Sequence, residues 1–243
     1  MYKGVNDLEL NHREVRRILE DKGITHLYHA NSTQTACTFI ANGGLLSRGA
    51  VEHYENYQTP QSSDLIDKQF NVWNDIFLDS IDLHTLFRRQ NHYGPILFKY
   101  NLNLLDQGFQ LPLWITKNNP IYWETGQLEN ERYIQDLNEF DTLYTHGSYR
   151  TMITFRNTHN YLPFIPFLEE IIIDDPELIW SSNKANLYEE SEKAIKEAMD
   201  KSLHNYNSVS ITRRECSNCY CKSNYKEQVT GEQMKLKFSV LNN

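Results

Sequence analysis

No apolar run in this chain of 243 residues approaches the roughly 20 positions that a helix needs to cross a bilayer. The opening Met1-Tyr2-Lys3-Gly4-Val5-Asn6-Asp7 lacks the basic-then-apolar layout of a secretory signal. These two absences lead us to expect a soluble, cytoplasmic protein without membrane association. Positive charge is also short, with 24 Lys and Arg against 32 Asp and Glu, a formal net charge of -8. That balance excludes a global basic field for holding phosphate backbones, so any nucleic-acid site must be a local patch. Cysteine is scarce: Cys37 stands alone, and Cys216, Cys219 and Cys221 are crowded together. Three neighbours and one distant residue make a poor disulfide framework, and they read as reduced thiols. The pattern C-x-x-C-x-C offers three soft ligands to zinc, with His204 or Cys37 as a fourth. A second C-x-x-C is missing, so the expectation is structural cysteines and no metal.

Apolar residues make up 40% of the chain, enough for one sizeable core, and residues 1–243 are expected to form a single domain. Leu8, Leu10, Val15, Ile18 and Leu19 recur near helical spacing over 6–22, with Asn6 or Asn11 as cap and Gly23 as stop. Ile24 to Ala30 reads as a strand, and residues 33–41 as a helix that Asn42-Gly43-Gly44 ends. Residues 47–71 carry no sustained periodicity and look like a long surface loop. Strands are expected at 75–79, 96–100, 111–116, 151–155 and 168–173, with helices at 81–90 and 127–143. A strong amphipathic helix follows at 184–203, and a strand-like run at 234–240 ends a cysteine-bearing tail.

Three segments in order draw attention as chemistry. Leu27-Tyr28-His29 ends the first strand, Gly43-Gly44-Leu45-Leu46-Ser47 follows the next helix, and Glu169-Glu170 precedes Ile171-Ile172-Ile173 late in the chain. Taken singly, His29 would be a hydrogen-bonded core histidine, Gly43-Gly44 a helix stop and Glu169-Glu170 a charged strand edge. In this order they resemble the ADP-ribosyltransferase superfamily and, within it, the DarT-like toxins that modify nucleic-acid bases, over roughly residues 24–180. The resemblance implies an α+β fold with a split, mostly antiparallel sheet and flanking helices, and 24–180 as its catalytic core, with 184–243 a C-terminal helix and tail. It also implies NAD as substrate, bound by His29 with Asn31, Gly44 and Arg48 beside it, and Glu170 as the catalytic carboxylate. A glutamate suits that role because breaking the bond to nicotinamide builds positive charge on the ribose. Strand alternation sends Glu169 and Glu170 to opposite faces, and Glu170 is favoured for its place before the isoleucines. The family's arginine has Arg89 or Arg48 as counterpart. The acceptor implied is a base in RNA or single-stranded DNA, and the setting a toxin–antitoxin or phage-defence pair with a cognate antitoxin.

Other residues open alternatives. Arg150 and Arg156 flank a strand and could hold phosphates of NAD or of a polynucleotide. Tyr54, Tyr57, Trp73 and Tyr93 could stack on a base. Asp79, Asp82 and His84 form D-x-x-D-x-H, which would suit a metal-dependent nuclease. The acidic balance leaves a protein acceptor open, and a non-enzymatic zinc-binding module is a third class.

Overall fold

The computed structural model describes residues 8–106, 111–159, 161–181, 184–228 and 231–239; the alternative cap Asn6 and the terminal Val240 lie outside them. Local signals set the first elements. Asn11 caps helix α1 (His12–Asp21), its side chain accepting from the amides of Arg13 and Glu14, and Gly23 follows at φ 77°. Strand β1 (His26–Asn31) leads to Ser32, which caps α2 (Thr33–Asn42), and Gly43 ends that helix at φ 78°.

Strand β2 (Gly44–Leu46) then feeds α3 (Arg48–His53), followed by α4 (Asp64–Gln69). Two short helices therefore occupy the stretch expected to be a long loop. Each has six residues, too few to display a periodic stripe, and Ser47 fixes the first by accepting from the Ala50 amide while donating to the Thr158 carbonyl at 2.8 Å.

The chain continues through β3 (Ile76–Leu78), α5 (Leu83–Phe87), β4 (Ile96–Asn101) and β5 (Leu113–Ile115). Next come α6 (Glu129–Arg132) and α7 (Leu137–Leu143), which replace the single acidic helix expected there. Tyr133 separates them because its backbone bridges to Thr116. Strands β6 (Ile153–Phe155), β7 (Tyr161–Pro163) and β8 (Leu168–Asp175) lead to helix α8 (Leu187–Lys201) and strand β9 (Ser210–Glu215). The tail holds α9 (Cys221–Gln228) and α10 (Gly231–Phe238). The last replaces an expected strand: Met234 and Phe238 are both buried four residues apart, a helical spacing that their alternation with lysines obscured. No helix of the described residues is long and apolar enough to cross a membrane.

The strands form an α+β architecture with a split sheet, as expected. One sheet runs β1-β4-β8-β9, a second pairs β2 with β7, and a third runs β3-β6-β5. Pairing is antiparallel except between β8 and β9. Tyr28 of β1 bridges to Asp79 just past β3, so the first and third sheets meet at that point and diverge beyond it. One face of the first sheet is apolar: Phe98 stacks on Phe164 with centroids 4.9 Å apart and lies near Phe39 of α2. A smaller apolar cluster of Leu187, Cys216, Cys221, Tyr225, Met234 and Phe238 holds the tail.

Candidate active site

A cleft of about 980 Å³, counted to its open mouth, lies where the sheets diverge. His29 and Asn31 of β1, Arg48 at the start of α3, Phe77 of β3, and Asp67, Asp75 and Asp79 line it. His29 approaches the Phe77 carbonyl with Nδ1 at 2.9 Å. A carbonyl can only accept, so Nδ1 carries the proton and Nε2 is left as an acceptor, 3.5 Å from the Asn31 amide nitrogen. Burial depresses the His29 pKa, the Phe77 bond works against that, and Arg48 adds to it; the ring is therefore neutral. Asn31 in turn accepts from the Ser32 amide at 2.9 Å and from Gln61 at 3.5 Å. Arg48 is clamped rather than free: Nε and Nη2 each lie 2.8 Å from the Asp64 carboxylate, and Nη2 also reaches the Thr59 carbonyl at 3.2 Å.

The three carboxylates of the cleft differ. Asp75 pairs with Arg156 at 2.8 Å and accepts from the Asn157 amide at 2.9 Å; burial still lifts it to about 6. Asp67 is lifted to about 6, by burial against a Ser63 hydrogen bond. Asp79 has no cation beside it among the described residues, and burial, with some repulsion from Asp82, pushes it to about 7. Asp79 is the carboxylate whose charge the protein itself leaves uncompensated.

Several expected residues lie elsewhere. Glu170 does not reach the cleft. In the first sheet His29 is opposite Phe98 and Phe98 opposite Ile171 on the inner face, while Tyr28 is opposite Lys99 and Lys99 opposite Glu170 on the outer face. There Glu170 bonds Lys99 Nζ at 3.0 Å. Its burial would raise the pKa, but hydrogen bonds from Thr212 and Lys99 outweigh that and hold it below the ordinary glutamate range. Glu169 is no replacement, because a bulge opposite Lys99 and Tyr100 turns it outward as well, onto His26 at 3.0 Å.

Gly44 serves packing rather than ligand approach, since a Cβ on it would lie 2.3 Å from the Leu162 carbonyl oxygen. Arg156 is a buried cation sandwiched by Trp114 and Tyr133, not a free phosphate contact. The D-x-x-D-x-H group disperses: Asp79 faces the cleft, Asp82 caps α5 and pairs with Arg214, and His84 turns to Asp174. That arrangement offers no shared point for a catalytic metal.

Arg89 and Arg150 come together in a groove that adjoins the cleft and shares Leu83, Asn91, His92 and Tyr93 with it. Arg150 lies over Tyr122 at 4.5 Å and near Tyr149 at 5.5 Å, and Arg89 over Phe87 at 5.3 Å. Tyr122 and Tyr149 are 49% and 38% exposed although Arg150 covers part of each ring. The two arginines make this groove a local basic patch on an acidic chain. Of the other aromatics, Tyr93 lines the cleft, Tyr54 donates to the His159 carbonyl at 3.0 Å and Trp73 to Glu52 at 2.8 Å. Asp75, Gln58 and Gln61 were not singled out by sequence, where they stand as ordinary polar residues of a strand edge and a loop.

No protein-family model matches the chain, and no curated protein matches it. Solved structures of a DarT from Thermus sp. 2.9 are similar. Its complex with ADP-ribosylated single-stranded DNA is 13% identical at a TM-score of 0.47, covering 79% of this chain and 95% of that one. Its complex with NAD+ is 14% identical at a TM-score of 0.42, covering 77% and 95%.

Proposed function

We propose that this chain is an NAD-dependent ADP-ribosyltransferase that modifies a base in single-stranded DNA or RNA. The observation that carries the reading is the convergence of His29, Asn31 and Arg48 on one cleft beside an uncompensated carboxylate, Asp79. The neutral Nε2 of His29 accepts a hydrogen bond from a ribose hydroxyl, and the Asn31 and Gln61 side chains keep the ring oriented. The glycosidic bond breaks, nicotinamide leaves with the electron pair, and the acceptor nitrogen or oxygen bonds to the ribose carbon as it loses a proton. Asp79 stabilises the ribosyl cation in between, and the positive nicotinamide ring of bound NAD draws the carboxyl toward its ionised form. The groove of Arg89 and Arg150 with Tyr122 and Tyr149 suits a single strand, pairing phosphates with arginine and bases with aromatic faces.

The test is incubation of the purified protein with labelled NAD and, separately, single-stranded DNA, RNA and cell protein. Label on nucleic acid is expected; label confined to protein would move the acceptor to the alternative class. Asp79→Asn should lose labelling and Glu170→Gln should keep it, and the reverse pattern would return the catalytic role to Glu170. A cytoplasmic location goes with this reading, because NAD is a metabolite of the cell interior. A toxin restrained by an antitoxin belongs to it too, and predicts growth arrest on expression that Asp79→Asn relieves.

A further inference from the structure

We propose that His84, Cys216, Cys219 and Cys221 bind a single zinc ion that fastens the C-terminal tail to the wall of the cleft. Cys216 and Cys219 come from the turn between β9 and α9, Cys221 is the first residue of α9, and the fourth group comes from α5, far away in sequence. One ligand atom from each of the four lies within 4.8 Å of every other. The sulfurs of Cys221 and Cys216 stand 3.5 Å and 3.9 Å from His84 Nε2. A tetrahedral zinc with its usual bond lengths to sulfur and nitrogen requires edges of about 3.6 to 3.8 Å, so these two separations are within a few tenths of an ångström of that geometry, and the widest pair, at up to 4.8 Å, closes by about 1 Å on binding. A two-iron cluster would hold its outer thiolates much further apart.

The surroundings support the same ligand set. Asp174, fully buried, lies 2.7 Å from His84 Nδ1 and thereby holds the proton on that nitrogen, leaving Nε2, the nearer of the two to the Cys221 sulfur (3.5 Å against 3.9 Å), as the ligand atom. A carboxylate behind a histidine is the usual outer partner of a zinc ligand. The Cys221 amide donates to the Cys219 sulfur at 3.4 Å, a bond that favours thiolate. Arg214 is 3.3 Å from the other oxygen of Asp174 and offsets the negative charge that three thiolates leave on such a site. All four cysteines are free thiols. The fourth residues considered from sequence are elsewhere: Cys37 donates to the Ala194 carbonyl at 3.5 Å, and His204 packs on Gly43.

The position gives the ion a purpose. Leu83, one residue before His84, and Asn91 to Tyr93 beyond α5 line the cleft, and Asn224 of α9 lines the groove that holds Arg89 and Arg150. The Tyr220 amide donates to the Arg88 carbonyl at 2.8 Å between the two sets of ligands. A metal at this junction ties the tail to the segment on which both pockets depend, and part of its binding energy becomes stability of that wall.

The full chain, purified without chelator, should carry about one zinc per molecule by elemental analysis. After exchange, cobalt should give the intense visible absorption of a tetrahedral ion and a sulfur-to-metal charge-transfer band. Cys37→Ser should keep the metal at full occupancy, Cys221→Ser should lose it, and Asp174→Ala should weaken affinity about 10- to 100-fold. Where Cys221→Ser does not fold, His84→Cys decides: it should keep a tetrahedral cobalt site with a stronger charge-transfer band. A folded wild-type chain that holds no zinc and takes up no tetrahedral cobalt overturns the proposal, as does full zinc occupancy in Cys216→Ser/Cys221→Ser.

Discussion

Replacing Asp79 by asparagine keeps the shape of the side chain and removes its charge. In the folded protein the carboxyl sits among protein atoms with no cation beside it among the described residues, and burial raises its pKa from the ordinary 3.8 to about 7. Three units correspond to about 4 kcal/mol of preference for the neutral form, and partial access to cleft water reduces the expected value to about 2 kcal/mol. The sign follows from proton binding. Between pH 4 and 7 the native state holds a proton that the unfolded chain releases, so stability declines as pH rises through that window and is level above it. Asp79→Asn lacks this decline. Urea unfolding of both proteins at pH 4, 6 and 8 should give equal free energies at pH 4 and an advantage of about 2 kcal/mol for the variant at pH 8. Asp67 and Asp75 are also raised to about 6, but they contribute equally to both proteins. Equal stability at pH 8, or an advantage that shrinks as pH rises, would refute the placement of an uncompensated carboxylate in the cleft. A variant that is more stable yet inactive is the pattern expected of a charge kept for chemistry.

Gly44→Ala should lower the unfolding free energy by about 1–3 kcal/mol, read as a fall in Tm, because its Cβ would sit 2.3 Å from the Leu162 carbonyl. Arg156→Ala leaves Asp75 buried without its cation and should cost about 3–5 kcal/mol in denaturant unfolding at pH 8. The loss should narrow as pH falls from 8 toward 6, because Asp75 without its cation takes up a proton at a higher pH than it does beside Arg156, and should be level below that. Arg89→Ala and Arg150→Ala should each weaken single-strand binding and reduce the salt dependence of log K by about one phosphate contact, with NAD binding alone unchanged.

Signals within a few residues were legible in the sequence because the forces behind them act over one turn of chain. Asn11 and Ser32 cap helices through their own neighbours, and Gly43 adopts a positive φ that its lack of Cβ permits. The place of His29 on β1, with Asn31 ending the strand two residues on, follows from the same short strand. Alternation predicts that the adjacent Glu169 and Glu170 differ in face, and here it fails. Which face meets His29 was decided by the register of β1, β4 and β8, and the bulge at Glu169 then cancelled the alternation locally. Pairing between residues 65 to 77 positions apart, as in His29 with Phe98, leaves no trace in local periodicity. The cysteines show the same division: C-x-x-C-x-C marks three possible ligands in one turn of chain, but the fourth, His84, arrives through the packing of α5 against the tail, 132 residues away from Cys216. Caps, turns and strand ends belonged to the sequence; the company that each reactive side chain keeps was settled by tertiary packing, because burial and charge pairing depend on neighbours in space.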